Sequence, residues 1–532
     1  MTQINTGQKI KTLLPEALLS GINLDNVADI LVSNLTVDSR KLHPGELFIA
    51  IKGQQVDGRE FITRAVEQSA AAILVEADKK WQGIDWISQV PVIAVENLPA
   101  KVSAIAGRFF GNPSQHLPLV GVTGTNGKTS CALLAAQLLS RVAKNAAGVM
   151  GTLGYGVLDA TLTSPLVQQI QLLTSTGLTT PDAVTVQSIL FEMKNADVKS
   201  VAMEVSSHSL HQQRVAALQF HTAIFTNLTQ DHLDYHGDMQ TYGNVKAELL
   251  AFSNLQYAIC NADDEWASNL AEKAPSSVKV IRYSVTKNAD VYLRDIRLHA
   301  AGASAELITP WGNAKIESPF MGLFNLNNLL AVIAAVCVQG YSLSEVAAQI
   351  PQLVAAPGRM QSVKLDEQQD IQVVVDYAHT PDALETTLKA IKQHNQQRIW
   401  TVFGCGGDRD KTKRPLMGRI AETYSDYILV TNDNPRSEDP ASIAADILRG
   451  MKNPRACLTI ADRAQAIDMA IQQAKAGDLI LIAGKGHENY QIFAQQTLPF
   501  SDEQQARIAL QRRFVKQEQM KQEPVIPGGA QL

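Results

Sequence analysis

Leu117-Pro118-Leu119-Val120-Gly121-Val122-Thr123-Gly124-Thr125-Asn126-Gly127-Lys128-Thr129-Ser130 decides the fold. A short apolar run ends in a glycine-rich turn, and Lys-Thr then opens a helical pattern. Leu134, Leu138 and Val142 recur at i, i+4 and i+8, the spacing of one buried helix face. Strand, glycine loop, Lys-Thr and helix is the layout of a phosphate cradle. Glycines let backbone N–H groups turn inward, the helix N-terminus adds its dipole, the lysine adds charge, and the threonine hydroxyl suits magnesium. The common cradle has its first glycine where Val122 stands here, with Gly121 and Gly124 to either side. A bare Gly-Lys-Thr also fits an ordinary strand-to-helix turn; the flanking strand and helix favour phosphate binding.

A chain of 532 residues predicts about three domains at roughly 150 residues each. The formal net charge of -5, with no long basic run, argues against a nucleic-acid partner. Cys131, Cys260, Cys337, Cys405 and Cys457 are scattered without a CxxC pair, which suggests a reducing compartment and no zinc site. The start, Met1-Thr2-Gln3-Ile4-Asn5-Thr6, lacks the order of a signal peptide. No apolar run approaches the ~20 residues that span a bilayer. The expectation is a soluble, cytoplasmic protein without membrane insertion.

Residues 1–115 read as a small α/β domain, with strands at Leu47–Ile51 and Ala72–Val75 and a helix over Arg59–Gln68. The polar loop Lys52–Arg59 reads from composition as a surface turn. A central domain runs from 116 to 356. In it, Val201-Ala202-Met203-Glu204-Val205 resembles a buried parallel strand with an acid at its carboxyl end, where magnesium lies beside a nucleotide. Ser206-Ser207-His208 follows at once. The strand Ala223–Asn227 leads into Asp231-His232-Leu233-Asp234-Tyr235-His236. Magnesium prefers oxygen ligands, so His232 is equally a metal ligand or a structural loop residue on this pattern.

Residues 357–532 alternate strand and helix. Val373–Val375, Ile399–Phe403, Tyr427–Thr431 and Leu479–Ala483 are each followed by a polar or glycine-rich cluster, which predicts a doubly wound, mostly parallel sheet. Thr380 and Pro381 cap a helix whose buried face is Leu384, Leu388 and Ile391. Ligands bind beyond the carboxyl ends of such strands, where all these clusters fall. The tail after about Lys516, rich in Gln, Pro and Gly, is predicted to be poorly ordered.

Over nearly its whole length the chain resembles the Mur ligases of peptidoglycan synthesis. The resemblance is carried by Gly124–Thr129, Met203–His208, Asp231–His236, Asn325 with Asn328, Gly358-Arg359-Met360 and Asp376-Tyr377-Ala378-His379-Thr380-Pro381-Asp382. Within the family it is most similar to the members that add the third residue of the stem peptide. That implies three α/β domains: one for the UDP-sugar (1–115), a P-loop ATPase-like one (116–356) and a Rossmann-like one for the amino acid (357–532). It implies an ATP- and Mg2+-dependent ligase that activates a carboxylate as an acyl phosphate and couples it to an amine. A monomer acting on small molecules is expected, with domains that close on substrate.

The resemblance also implies site roles. Gly124, Thr125, Asn126, Gly127, Lys128, Thr129, Ser130, Asn325, Asn328, Arg359 and Asp376 attend ATP. Thr129, Glu204, His232 and Lys246 attend the metal, Lys246 as a carbamate; by position alone Lys246 is a solvated helix lysine. Val37, Ser39, Gln54, Gln55, Val56, Thr179, Thr180, Ser206, Gln212 and Arg214 match contacts to UDP-MurNAc-L-Ala-D-Glu. The match is poor over residues 158–177. Arg409, Asp433, Asn434, Pro435, Arg436, Gly484 and Glu488 match contacts to meso-diaminopimelate, with Glu488 for its distal ammonium. Lysine-adding relatives lack the arginine of Asp433-Asn434-Pro435-Arg436, and a guanidinium grips the second carboxylate that distinguishes diaminopimelate from lysine. The alternatives are the same reaction with L-lysine, a folate-polyglutamate ligase, and a non-catalytic nucleotide-binding module.

Overall fold

The computed structural model describes residues 7–15, 18, 22–53, 56–299, 301–365, 369–394, 397–494 and 496–522. The expectations for Gln54 and Gln55 fall outside the described residues, as does the end of the tail. The chain groups into two compact units. One holds residues 1–293, 307–314 and 327–349; the other holds 294–306, 315–326 and 350–532.

In the first unit, an N-terminal sheet runs in the order Leu35–Thr36, Leu47–Ala50, Ala72–Glu76, Val90–Val95, Ile84–Ile87, all parallel but the last. Both faces are covered. Leu47, Ile49 and Leu74 join one apolar cluster, and Phe48, Ala50 and Ile73 the other. That is why these strands read as unbroken apolar runs. Ala183 and Val184, at the start of the helix Ala183–Asn195, pack into the first of these clusters.

The phosphate-cradle strand, Leu119–Thr123, is buried along its whole length. It lies between Val201–Glu204 and Phe220–Phe225, parallel to both. Ala147–Gly151 continues the sheet beyond the first neighbour, and Tyr257–Asn261 and Lys279–Ser284 beyond the second. Gly121 is needed inside the strand, because a Cβ there would sit 2.8 Å from the Phe220 ring. The helix Lys128–Ala143 is buried nearly all round rather than along one face, since it also packs against Leu343–Gln349.

The second unit carries the sheet Gln361–Ser362, Gln372–Asp376, Leu479–Ala483, Ile399–Phe403, Tyr427–Val430, Leu458–Thr459 in that order. It is parallel except for its first strand. Val374, Phe403 and Leu481 face one apolar cluster while Val373, Val402 and Ile482 face the other, so helices cover both sides as expected. Leu384, Leu388 and Ile391 are buried, and the Thr380 hydroxyl accepts from the Ala383 N–H at 3.3 Å. One expectation is corrected. The helix Asp502–Gln522 extends over residues 517–522, because Gln, Glu, Lys and Met are good helix formers and the prolines come only later; the expectation for residues 523–532 lies outside the described residues.

Arg463 and Asp502, both fully buried, form an ion pair at 2.7 Å, and the Arg463 guanidinium also donates to the Ala483 carbonyl at 2.9 Å. Removing one partner strands the other charge. Arg463→Met is expected to destabilise this unit by about 3–5 kcal/mol. Urea unfolding of wild type and variant checks this, with a clear drop in midpoint expected.

Candidate active site

The cradle begins where the strand Leu119–Thr123 ends. Gly124 has φ +145° and Gly127 has φ +88°. Cβ atoms there would lie 1.9 Å from the Thr226 hydroxyl and 2.5 Å from Asn328 Oδ1, so only glycine fits either position. Asn227 holds the loop from outside. Its carbonyl accepts from Thr125 N–H and its Oδ1 from Asn126 N–H, both at 2.8 Å. Thr129 and Ser130 are buried in the first helical turn. The Lys128 ammonium donates to the carbonyls of Gly124 at 2.9 Å and Thr125 at 2.8 Å.

Lys246 is not solvated. It lies near the end of the helix Met239–Ala247, 1% exposed, and its Nζ donates to the same Gly124 carbonyl at 2.8 Å. The Tyr242 ring lies 4.5 Å from that nitrogen. Burial, with the Lys128 charge beside it, holds the Lys246 amine well below its usual pKa. A depressed pKa raises the fraction of lysine present as the free, nucleophilic amine.

Glu204 ends the strand Val201–Glu204 and is buried. Its two oxygens accept from the backbone N–H of Thr152 at 2.7 Å and its hydroxyl at 3.2 Å. A Cβ on Gly151 would lie 2.2 Å from Glu204 Oε1, so this glycine makes room for the carboxylate. His232 stands in a left-handed turn with φ +52°, its N–H on Asp231 Oδ1 at 2.9 Å and its ring packed against His208. Among the described residues, no three His, Cys, Asp or Glu side chains converge as a metal cage. A rigid carboxylate and the Thr129 hydroxyl at a phosphate cradle suit magnesium, which takes one or two protein oxygens and completes its shell with phosphates and water.

The residues matched to the nucleotide-sugar in the central region come together. Arg214 donates to Thr180 O at 2.7 Å and to Gln212 Oε1 at 2.6 Å. The Thr180 hydroxyl bonds Glu204 O at 2.9 Å and Ser206 N–H at 3.2 Å. Thr179 and Thr152 share a hydroxyl contact at 3.1 Å. In the N-terminal sheet region Ser39 is buried, Val37 half-buried and Val56 exposed, and no hydrogen bond links them to this group. Residues 158–177 include the short helix Leu166–Gln171, with Leu162 and Leu172 exposed.

In the second unit, Asp376 accepts from the N–H groups of Met360 at 2.7 Å and Ala378 at 2.9 Å; burial pushes its carboxyl up and these bonds oppose the shift. The Arg359 guanidinium lies 4.7 Å from the Tyr377 ring. Arg436 holds φ +53°, an uncommon conformation for arginine, fixed by its N–H on Ile492 O at 3.0 Å. Its guanidinium donates to Gly407 O at 2.8 Å. Asn434 donates to Glu488 Oε2 at 2.9 Å, joining the two matched stretches. Gly484, at φ +116°, leaves room for Asp433, whose Oδ2 would be 2.6 Å from a Cβ there. Arg409 is exposed, with its Nη1 on Asp408 O at 3.2 Å.

The two asparagines of the helix Leu323–Cys337 differ. Asn328 sits under Gly127 and accepts from Cys131 Sγ at 3.5 Å, while Asn325 donates to Met321 O at 2.9 Å. Asn327, which the sequence pattern passes over, has a buried Oδ1 without a partner and an amide 3.4 Å from Asn261 Oδ1 and from Asp263 Oδ2. Thr152, Asn227 and Tyr242 touch Glu204, Asn126 and Thr125 respectively without a sequence signal; an isolated Thr, Asn or Tyr in a loop or helix looks like any other.

A glycine turn, an inward lysine and a buried acid at the carboxyl edge of a parallel sheet define a P-loop α/β protein. Three family profiles match in succession: "Mur ligase family, catalytic domain" over residues 31–109, "Mur ligase middle domain" over 122–336, and "Mur ligase, glutamate ligase domain" over 358–486. The chain belongs to the Mur ligase family. A UDP-N-acetylmuramoyl-L-alanyl-D-glutamate–2,6-diaminopimelate ligase of Coxiella burnetii is 44% identical over 93% of this chain and 98% of its own length. One of Pseudomonas aeruginosa is 46% identical over 91% and 96%. A solved structure of a protein of that same name aligns with a TM-score of 0.69 at 34% identity, covering 96% of this chain and 99% of the other. No helix among the described residues is long and apolar enough to cross a membrane.

His208, between His232 and Tyr235, has its pKa lowered to about 4, first by burial and then by the neighbouring His232 and His236. The unfolded ring, at 6.5, takes a proton that the folded ring refuses, so its contribution to stability is complete above pH 6.5 and is lost as pH falls toward 4. Thermal melts at about pH 7.5 and about pH 5 should show a larger loss for wild type than for His208→Gln. Equal losses would contradict the assignment.

Proposed function

We propose that this protein is an ATP-dependent amide ligase that joins meso-diaminopimelate to the D-glutamyl γ-carboxylate of UDP-MurNAc-L-Ala-D-Glu. The observation that carries the choice of amino acid is the hydrogen bond from Asn434 to Glu488. It unites a stretch ending in the cation Arg436 with one ending in an anion. Diaminopimelate offers a carboxylate and an ammonium at its distal carbon, whereas L-lysine offers only the ammonium and leaves Arg436 without an anionic partner. The relatives' names, which print 2,6-diaminopimelate, weigh the same way.

In the first step a substrate carboxylate oxygen bonds to the γ-phosphorus of ATP, the bond to the bridging oxygen breaks, and ADP leaves. Like charges must meet, so the cradle supplies inward N–H groups and Lys128, which exchanges the Gly124 and Thr125 carbonyls for phosphate oxygens. Thr129, Glu204 and His232 are the residues that would hold magnesium, which supplies Lewis acidity toward the transferring phosphoryl group. In the second step the free amine of diaminopimelate attacks the acyl carbon; the C–N bond forms, the amine proton is lost, and phosphate departs. Arg214, Thr179, Thr180, Ser206 and Gln212, with Val37, Ser39, Gln54, Gln55 and Val56, are assigned to the nucleotide-sugar. Arg409, Asp433, Pro435 and Gly484 complete the amino-acid set. Asn325, Asn328, Arg359 and Asp376 complete the ATP set. Residues 1–115, 116–356 and 357–532 are assigned to UDP-sugar, ATP and amino acid respectively. The small, soluble substrates suit a cytoplasmic monomer.

Lys246 is assigned as a carbamate. Its amine, once deprotonated, adds to the carbon of CO2 and releases a proton, giving an anion beside Lys128 that would also support magnesium. Assay buffer stripped of CO2 should lower the rate and bicarbonate should restore it. Lys246→Arg, roughly 100-fold slower, should respond to neither. Bicarbonate-independent wild-type activity would oppose the carbamate.

The substrate choice is tested by phosphate release with the two amino acids in turn. Diaminopimelate should be strongly preferred, and a preference for lysine would overturn it. Arg436→Ala should raise the KM for diaminopimelate at least about 30-fold, the loss of ~2 kcal/mol from a charged hydrogen bond, with the KM for ATP nearly unchanged.

A further inference from the structure

Lys485 belongs to none of the sets assigned above, yet it is the most enclosed cation of the second unit's candidate site, 0% exposed. The turn that carries it explains how. Gly484 at φ +116° and Gly486 at φ +53° flank it, and these left-handed conformations reverse the chain on either side. Its ammonium donates to Glu488 Oε2 at 3.0 Å and to Asn434 Oδ1 at 3.1 Å, and the Tyr490 ring lies 5.5 Å from the nitrogen.

Those bonds remove the freedom of two other side chains. Asn434 Oδ1 accepts from both Lys485 and the Ile492 N–H at 3.0 Å. An amide with two donors on one end has only one orientation, so its NH2 must point the other way, and it meets Glu488 Oε2 at 2.9 Å. Glu488 Oε2 is then held by two donors, from Lys485 and from Asn434. Oε1 has no hydrogen-bond partner among the described residues and is the oxygen left to receive a ligand. The carboxylate is thereby aimed before any substrate arrives, which limits the ordering that binding must impose.

We propose that Lys485 is a positioning residue for the amino-acid substrate, acting through Glu488 and Asn434. The inference rests on the assignment of Glu488 to the distal ammonium of diaminopimelate. A purely structural lysine would lower stability and alter all three substrates' KM values together. A positioning lysine acts on one substrate and acts through its partner.

The test is a double-mutant cycle read by phosphate release, with KM measured for each of the three substrates in the full-length protein. Lys485→Met should raise the KM for diaminopimelate about tenfold or more, with those for ATP and the dipeptide nucleotide within about twofold of wild type. Glu488→Gln should raise it at least as much. The double variant should match Glu488→Gln alone to within about twofold, because without the carboxylate there is nothing for the lysine to aim. Multiplicative effects in the double variant, or equal shifts for all three substrates, would overturn the proposal. Should Lys485→Met fail to fold because it strands Glu488, the double variant carries no unpaired charge and its comparison with Glu488→Gln decides the question. Wild type serves as the control. If it releases no phosphate with diaminopimelate, the substrate assignment fails and this inference falls with it; if it does and the cycle is additive, only this inference fails.

Discussion

Two lysine nitrogens share one backbone carbonyl. Lys128 and Lys246 both donate to Gly124 O, at 2.9 and 2.8 Å, and the rest of the first unit's site is arranged around that concentration of basic groups. The carbonyl is available because Gly124 takes φ +145°, and no other residue fits against the Thr226 hydroxyl there. Two ammonium ions at one acceptor repel, and burial favours the neutral form of the more enclosed one. The constraint crowds two basic groups at one acceptor and holds the Lys246 amine well below its usual pKa. An anionic ligand relieves it, and so does conversion of the amine to an anion.

The second unit holds charge of both signs, an arrangement that suits the small zwitterion proposed to bind there. Arg436 is held by backbone bonds in a conformation arginine seldom adopts, with its guanidinium on Gly407 O. Glu488 is held by Asn434 and Lys485. Neither charge is left to find its place when the ligand arrives. Both stretches follow parallel strands at their carboxyl ends, where the sheet's packing is already paid for by the apolar runs behind them.

What was legible in the sequence follows from how each element is buried. Leu119–Thr123, Ile399–Phe403 and Leu479–Ala483 are covered on both faces and stand out as unbroken apolar runs. The strands Val291–His299, Gly302–Thr309 and Gly312–Ser318 are only partly buried, and that weaker pattern hides them. The glycine cradle was legible because backbone geometry restricts residue type. Lys246 was not, since nothing in its helix announces that Tyr242 and the Gly124 carbonyl enclose it; only family resemblance singled it out. Lys485, in the glycine-rich cluster after Leu479–Ala483, carried no signal of its own, because a lysine between two glycines looks like a surface turn until the fold turns it inward. The first residues after Lys516 misled in the other direction, as a Gln-, Glu- and Lys-rich stretch serves a helix as well as it serves disorder.

The central claim is that the cradle exists to move the γ-phosphate of ATP onto a carboxylate. Isotope transfer tests it most directly. UDP-MurNAc-L-Ala-D-Glu labelled with heavy oxygen in the γ-carboxylate is turned over with ATP and diaminopimelate, and the released phosphate is analysed by mass. An acyl-phosphate route places one labelled oxygen in each phosphate. Unlabelled phosphate, with amide product formed at the same rate, would contradict the account.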